Sequence, residues 1–379
     1  MIRPDGLETR PVAGRADLDR FIKLPWRIYH NDSAWVPPLL QEVRQALDRS
    51  RHPFHDHAQV EYFLAIKNAE IVGRIAAIVN RAHNEFHDDQ IGFFGLFECI
   101  NDAGVAQQLL TLAEDWLRAR GCSCARGPMN FSTNEEICSP GVLVDGFAVP
   151  PRILMGHSPP YYPRLLESAG YVKAKDLLAY WVDADQTPER MMRGLGRLRR
   201  QGEITLRQLN LRDFAGEVSR VKEIYNEAWE RNWGFVPMTD QEVDHMAKSL
   251  RPVIDPKLCF FAEHDGSPVG FALAVPDYNQ ALKYVNGRLF PVGVFKFLWH
   301  RRGIKSVRTL TLGVKQAYRQ RGLDVMLIVA LMESAQKDNR ARGECSWILE
   351  DNFPMRRGLE RMGGRVYKTY RVFEKQLVV

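Results

Sequence analysis

The chain has 379 residues, a formal net charge of +6 and a pI near 9.0, with 45% apolar and 26% charged residues. That length holds two ordinary domains, each with its own core, and that composition excludes a disordered chain. No apolar run reaches the roughly eighteen residues needed to span a bilayer, and the polar start MIRPDGLETRPVAGRADLD lacks a signal peptide's apolar stretch. The positive charge favours a nucleotide cofactor, a phospholipid surface or RNA, but no RNP-like or zinc-finger pattern accompanies it, so no nucleic-acid partner is expected. Cys99, Cys122, Cys124, Cys138, Cys259 and Cys345 form no CxxC pair and no zinc-ligand spacing. They read as reduced core residues of a cytoplasmic protein without a metal.

In chain order the periodicity gives helix, strands, helix, strands, and then the same series again. The halves match in short runs: VPPLLQEV (36–43) with VPMTDQEV (236–243), and YFLAIKNAEIVG ending at Gly73 with FFAEHDGSPVG ending at Gly270. RARGCSCARGPMN from Arg118 then matches RARGECSWILEDN from Arg340, and LLESAGYVKAK from Leu165 matches GLERMGGRVYK from Gly358. Four matches in one order predict a duplicated domain of about 180 residues. The expected division is 1–185 and 186–379, at the polar VDADQTPERM, with a basic helix leading into the second half's first strand.

The halves differ where it matters. In the first, GFFGLFEC passes directly into NDAGVAQQLLTLAEDWL, and Asp102 reads as the N-cap that satisfies the helix's free N–H groups. The first half also carries a long loop, Phe131 to Pro159, with Asn130, Ser132, Asn134 and Glu135 near its start and His157, Tyr161 and Tyr162 at its end. In the second, TLTLGVKQAYRQRGLDVMLIVA (309–330) runs from an alternating strand (Leu310, Leu312, Val314) through a basic turn at Gly322 into an apolar helix. Unpaired N–H groups at the positive end of that helix make a phosphate seat, with Arg319 and Arg321 as mobile charges beside it.

Arg319-Gln320-Arg321-Gly322-Leu323-Asp324 resembles the [RQ]-x-x-G-x-[GA] signature of the GNAT superfamily of acyl-CoA-dependent N-acyltransferases, with Asp324 in place of a small residue. The resemblance implies two tandem GNAT-like α/β (α+β) domains, each a mixed, mostly antiparallel sheet flanked by helices. The first would be degenerate and the second would bind acyl-CoA. By the same resemblance, the turn holds the coenzyme's pyrophosphate, the strand Leu312-Gly313-Val314 splays to bind its pantetheine arm, and Asn352 contacts that arm. Leu359 stands where the family often has the tyrosine that protonates the thiolate. ILEDN-x-x-MRR and MGG-x-VYKTYR resemble a bacterial tandem-GNAT group that includes ceramide-forming enzymes, implying a long-chain, sphingoid-type amine acceptor. Acetylation of a small amine or peptide, a Fem-like aminoacyl transferase and a non-catalytic acyl-CoA sensor are the alternatives.

Acyl transfer to an amine needs a base, an oxyanion stabiliser and a route for the thiolate to leave. Glu350, at a strand's end, is the candidate base or an ion-pair partner of Arg356 or Arg357. Tyr278, Tyr367 or Tyr370 would replace the absent acid, unless they are ordinary strand residues. Tyr225, Asn226, Trp229 and Trp233 line either the acceptor pocket or the core, and Asn130 and Tyr161 of the first half are further acceptor contacts. The aromatic run 289–302, ending in His300, Arg301 and Arg302, reads either as a peripheral contact with the inner membrane or as a packed helix.

Overall fold

The computed structural model describes residues 6–135, 139–186, 202–377 and the single positions 189, 193 and 196. The basic helix expected before the second half's first strand lies largely outside them. Strands are numbered β1 to β13 along the chain. Two hairpins follow directly from their turn residues. β2 (Ala58–Lys67) and β3 (Glu70–Asn80) meet at Asn68 and Ala69, and β9 (Cys259–His264) and β10 (Ser267–Pro276) at Asp265 and Gly266. All four turn residues have positive φ, the geometry that matches the twist of paired strands.

Two compact units result. The first takes the described residues within 1–177, 281–299 and 368–379, and the second those within 178–280 and 300–367. This is not a single cut after residue 185. Strands β7 (Val172–Asp183) and β13 (Arg365–Gln376) each supply residues to both units, and 281–299 packs with the first.

In the first unit β1 (Leu7–Pro11), β2, β3 and β4 (Ile91–Cys99) are antiparallel in that order. β4 then pairs in parallel with β5 (Cys124–Gly127), which lies beside the 373–376 part of β13. β6 (Val142–Asp145) also borders β13. Helix α1 (Gly14–Ile28) precedes α2 (Leu40–Ala46), and α3 (Ala103–Arg118) buries Val105, Leu109, Leu110, Ala113 and Leu117, an i, i+4 stripe against β3. Gly73 lets the sheet approach α3, since a Cβ there would stand 2.6 Å from a Leu109 methyl.

The second unit repeats the pattern. β8 (Ile204–Gln208), β9, β10 and β11 (Ser306–Val314) are antiparallel, and β11 pairs in parallel with β12 (Arg342–Leu349). Helix α4 (Phe214–Trp229) lies against β10 and β11, α5 (Leu323–Lys337) against β9 to β11, and α6 (Phe353–Arg361) follows β12. The almost wholly apolar sequence of α5 has a packing cause. Leu323, Leu327, Leu331 and Ala335 enter one core cluster, while Met326, Ile328 and Val329 enter another with Tyr180 and Leu359. A helix buried on more than one side has no face left for polar residues.

Each unit is thus a mixed, mostly antiparallel sheet flanked by helices. Cys99, Cys122, Cys124, Cys259 and Cys345 are free and buried, while Cys138 lies outside the described residues.

Candidate active site

The site begins where a ladder stops. β11 and β12 pair only from Ser306 with Arg342 to Thr309 with Cys345, yet β11 runs on to Val314 and β12 to Leu349. Among the described residues no further pair joins them, so two parallel strands part and leave backbone N–H and C=O groups along the opening. A β-bulge falls at the same level. Leu273 faces Thr311 and Ala274 faces Thr309, so Leu310 is the extra residue. The bulge corrects one expectation: Leu310, Leu312 and Val314 do not share a face. Leu310 packs into the cluster around Phe261 and Phe271, and Leu312 and Val314 into the one around Leu327.

At the end of β11 the chain turns through Gln316–Tyr318 into the basic loop. Gln320 and Gly322 have φ of 62° and 76°, and Gly322 is the N-cap of α5 with no side-chain cap. Asp324 is therefore the second residue of the helix and not its cap. The matching helix of the first unit is closed differently: the Asp102 carboxylate accepts from Gly104 N at 2.9 Å and Val105 N at 3.2 Å. Burial pushes that carboxyl up, but these N–H donors and Lys67 outweigh it and hold it below its ordinary range. The first unit's parting of β4 from β5 is also filled by its own backbone. Met129 N donates to Phe94 O and Leu96 N to the Asn130 side chain, both at 2.7 Å, and a Cβ on Gly95 would stand 2.1 Å from Met129 O.

Helix α4 is stitched to the second unit's turn. Arg319 donates to Ala228 O at 2.7 Å and Val314 O at 3.3 Å, Gln316 N donates to the Glu227 carboxylate at 3.0 Å, and Lys315 pairs with Glu223. Arg319 is thus a brace joining strand, turn and helix, which corrects its reading as mobile charge. Arg321 is exposed, its guanidinium carbon 5.2 Å from the centre of the Tyr318 ring. Trp229 lies over Gly313, where a Cβ would come within 2.8 Å of the indole. The Trp229 ring is 4.6 Å from that of Tyr225, which in turn is 5.7 Å from Phe235. Asn226, on the same helix, keeps a buried side-chain oxygen without a hydrogen bond. Trp233 follows α4 in a half-buried turn.

At the level where the strands part sits a buried charged cluster of which only Tyr367 stood out in the sequence. Arg308 and Glu344 are cross-strand partners, and the guanidinium lies 3.4 Å from the carboxylate. Arg308 also donates to the Ser346 hydroxyl at 2.8 Å and to Ser346 O at 3.2 Å. Ser346 and Tyr367 both donate to Glu344, which is fully buried. For Arg308 and Glu344 the only sequence signal was charge placed inside otherwise apolar strands, SVRTL and ECSWIL.

The remaining candidates fall in different settings. Glu350 lies just past β12, half-buried, and its carbonyl accepts from Arg356. Tyr278 donates to Val253 O at 3.4 Å, and burial holds its phenol above the ordinary value. Tyr370 is buried in the first unit and donates to Gly156 O at 3.1 Å. Asn352 caps α6, accepting from Met355 N at 3.3 Å. Tyr161 donates to Cys99 O at 2.8 Å, and His157 lies 2.7 Å from the Asp32 carboxylate. Ser132, Asn134 and Glu135 are buried in the first unit.

Comparison with known proteins agrees with this architecture. Residues 218–363 match the family model described as the acetyltransferase (GNAT) family. The chain is 42% identical over 379 residues to "Bacterial ceramide synthase" of Caulobacter vibrioides, covering 98% of each. It is 36% identical to "Protein YghO" of Escherichia coli K12, covering 100% of this chain and 97% of that one. Among solved structures, a tandem GNAT protein from the clavulanic acid biosynthesis pathway superposes with a TM-score of 0.59 over 98% of this chain and 99% of its own, at 12% identity. The chain belongs to the GNAT family and is an N-acyltransferase, an enzyme of the kind that moves an acyl group from acyl-CoA to an amine.

Proposed function

We propose that the second unit binds a long-chain acyl-CoA and transfers its acyl group to a long-chain, sphingoid-type primary amine, giving a ceramide-like N-acyl lipid. The observation that carries the donor site is the parting of β11 and β12 beside a helix N-terminus capped only by Gly322. N–H groups of that end suit a pyrophosphate, and the strand edge at Leu312, Gly313 and Val314 suits the amide-bearing pantetheine arm. The acyl thioester would then lie toward the point where pairing resumes, near Thr309 and Cys345. Identity to a relative named as a bacterial ceramide synthase supports the lipid acceptor.

In the reaction the neutral amine nitrogen attacks the thioester carbonyl carbon, the tetrahedral oxyanion collapses, and the C–S bond breaks. The proton lost by nitrogen ends on the departing sulfur, giving an amide and free CoA thiol. Glu350 is the proposed base at the mouth. Tyr367, tied to the buried Glu344, is the proposed acid in place of the absent family tyrosine. Arg308, paired with Glu344, would hold that carboxylate in place and so keep the phenol oriented. Tyr225, Asn226, Trp229 and Trp233, all of the second unit, are the proposed acceptor contacts.

Release of CoA thiol should be followed with acetyl-CoA and palmitoyl-CoA across amines from spermidine to dihydrosphingosine, with the amide confirmed by mass spectrometry. The proposal expects turnover with the long donor and the long-chain amine. Preference for acetyl-CoA and a small amine would replace the lipid reading. Binding of CoA without turnover on any amine would favour a sensor.

A further inference from the structure

Residues 281–299 return to the first unit and are rooted there. Asn286 accepts from the Trp26 indole at 2.8 Å, and Gly287 O accepts from Leu40 N at 3.0 Å. Gly287 has φ of 75°, and a Cβ on it would meet the Trp26 ring at 2.5 Å, so this root is closely fitted. The other side of the segment is the reverse of a packed surface. Phe290, Phe295 and Trp299 are 74%, 71% and 73% exposed, with Val292 and Leu298 also open. Val292, Phe295 and Trp299 follow an i, i+3, i+7 spacing, which sets them along one side of the helix Gly293–His300. Large apolar side chains this exposed and this close together mark a contact surface.

Charge identifies what it contacts. From Tyr278 to Leu323 the chain carries ten Lys or Arg residues and no Asp or Glu. Within the patch, Lys283, Arg288 and Lys296 are exposed among the aromatics. A second copy meeting this face through a two-fold axis would set cations against cations. Among the described residues no helix is long and apolar enough to cross a membrane, so the segment has the means to lie on one and not to span it. Exposed Trp and Phe beside Lys and Arg, on a segment with no acid of its own and only Glu42 of α2 lining the depression beside Arg288 and Phe290, is the composition of an interfacial anchor for anionic lipid.

We infer that the 283–299 surface docks the enzyme on a bilayer containing anionic phospholipid, with Phe290, Phe295 and Trp299 inserted at the headgroup level and Arg288 and Lys296 held against lipid phosphates. This inference does not depend on the acyl donor or on the identity of the amine.

The test is co-sedimentation of the full chain with vesicles of phosphatidylcholine mixed with phosphatidylglycerol, against pure phosphatidylcholine, at low and high salt. Binding is expected to the anionic vesicles and to weaken with salt. Phe295→Ser combined with Trp299→Ser should lower the partition coefficient at least about tenfold. Arg288→Glu with Lys296→Glu should lower it about fivefold or more per site on anionic vesicles only. These side chains are exposed, so circular dichroism melting should match the parent and confirm folded variants. Absence of binding to anionic vesicles at low salt, or equal binding by the serine variant, overturns the inference. So does a concentration-dependent dimer, seen by light scattering, that the serine variant abolishes while vesicle binding is unchanged. Capture of a protein partner whose binding needs the same aromatics, with no lipid binding, also overturns it.

Discussion

Asp324 is the sharpest test of the phosphate seat, because it sits where an anion should be unwelcome. Gly322 caps α5, Leu323 is the first helical residue and Asp324 the second, so its carboxylate projects from the same turn that offers free N–H groups. The size of the effect follows from taking a separation of about 6 Å between that carboxylate and an anion held on the helix end. The repulsion is then about 0.7 to 2.8 kcal/mol per unit charge, taking effective dielectric constants of about 80 and 20. Asp324→Ala should therefore tighten CoA binding about three- to hundredfold. Fold stability should change little. Loss of a favourable carboxylate at the helix N-terminus costs about 0.3 to 1 kcal/mol, while alanine's helix propensity returns about half of that. Isothermal titration with CoA and with pantetheine separates the effects, since pantetheine has no phosphate and its affinity should not change. The CoA gain should also shrink at high salt. Equal or weaker CoA binding by the variant, or an equal gain with pantetheine, would refute the placement of the pyrophosphate.

Other substitutions probe the surroundings. Arg319→Ala removes a brace between Val314, Ala228 and the turn; chemical denaturation should show a loss of about 1–3 kcal/mol, and Arg319→Lys should not restore the two-carbonyl bond. Glu344→Gln leaves Arg308 buried against a neutral partner and should cost about 3–5 kcal/mol. Replacing both, Arg308→Met with Glu344→Leu, should recover much of that stability while CoA-thiol release stays depressed; full activity in the double variant would remove the cluster from the chemistry. Leu327→Ala, in the buried centre of α5, should cost about 2–5 kcal/mol by denaturant melt. His157 is held below its ordinary value by burial, partly offset by Asp32. The unfolded chain therefore binds more protons below about pH 6.5, so this contribution to stability is present above that pH and lost as pH falls. His157→Gln should flatten stability measured between neutral and mildly acidic pH; an unchanged slope would contradict the assignment.

The parts of the site that were legible are those written in local chemistry. Asp102 announced a capped helix and Gly322 an uncapped one, because capping depends on a residue and its next three neighbours. The strand, turn and apolar helix of 309–330 were equally plain. Less visible was anything decided by a partner far along the chain. Nothing in SVRTL says that Arg308 faces Glu344, since that pairing depends on the parallel register of β11 and β12. The bulge at Leu310 reverses a face without changing the alternation that suggested otherwise. Arg319 read as a free cation because its acceptors are backbone carbonyls, which carry no sequence signal. The return of 281–299 to the first unit was hidden for the same reason, while its exposed aromatics were visible as a composition.

On the function proposed above, the opening between β11 and β12 delivers an acyl group from CoA to an amine. The most direct test of that function is release of CoA thiol by the full chain supplied with palmitoyl-CoA and dihydrosphingosine, matched against the amide formed. One thiol released per amide, lost in an Arg321→Glu variant that still folds, is the predicted result. Tight CoA binding without thiol release on any amine, or unchanged turnover in that variant, would contradict it.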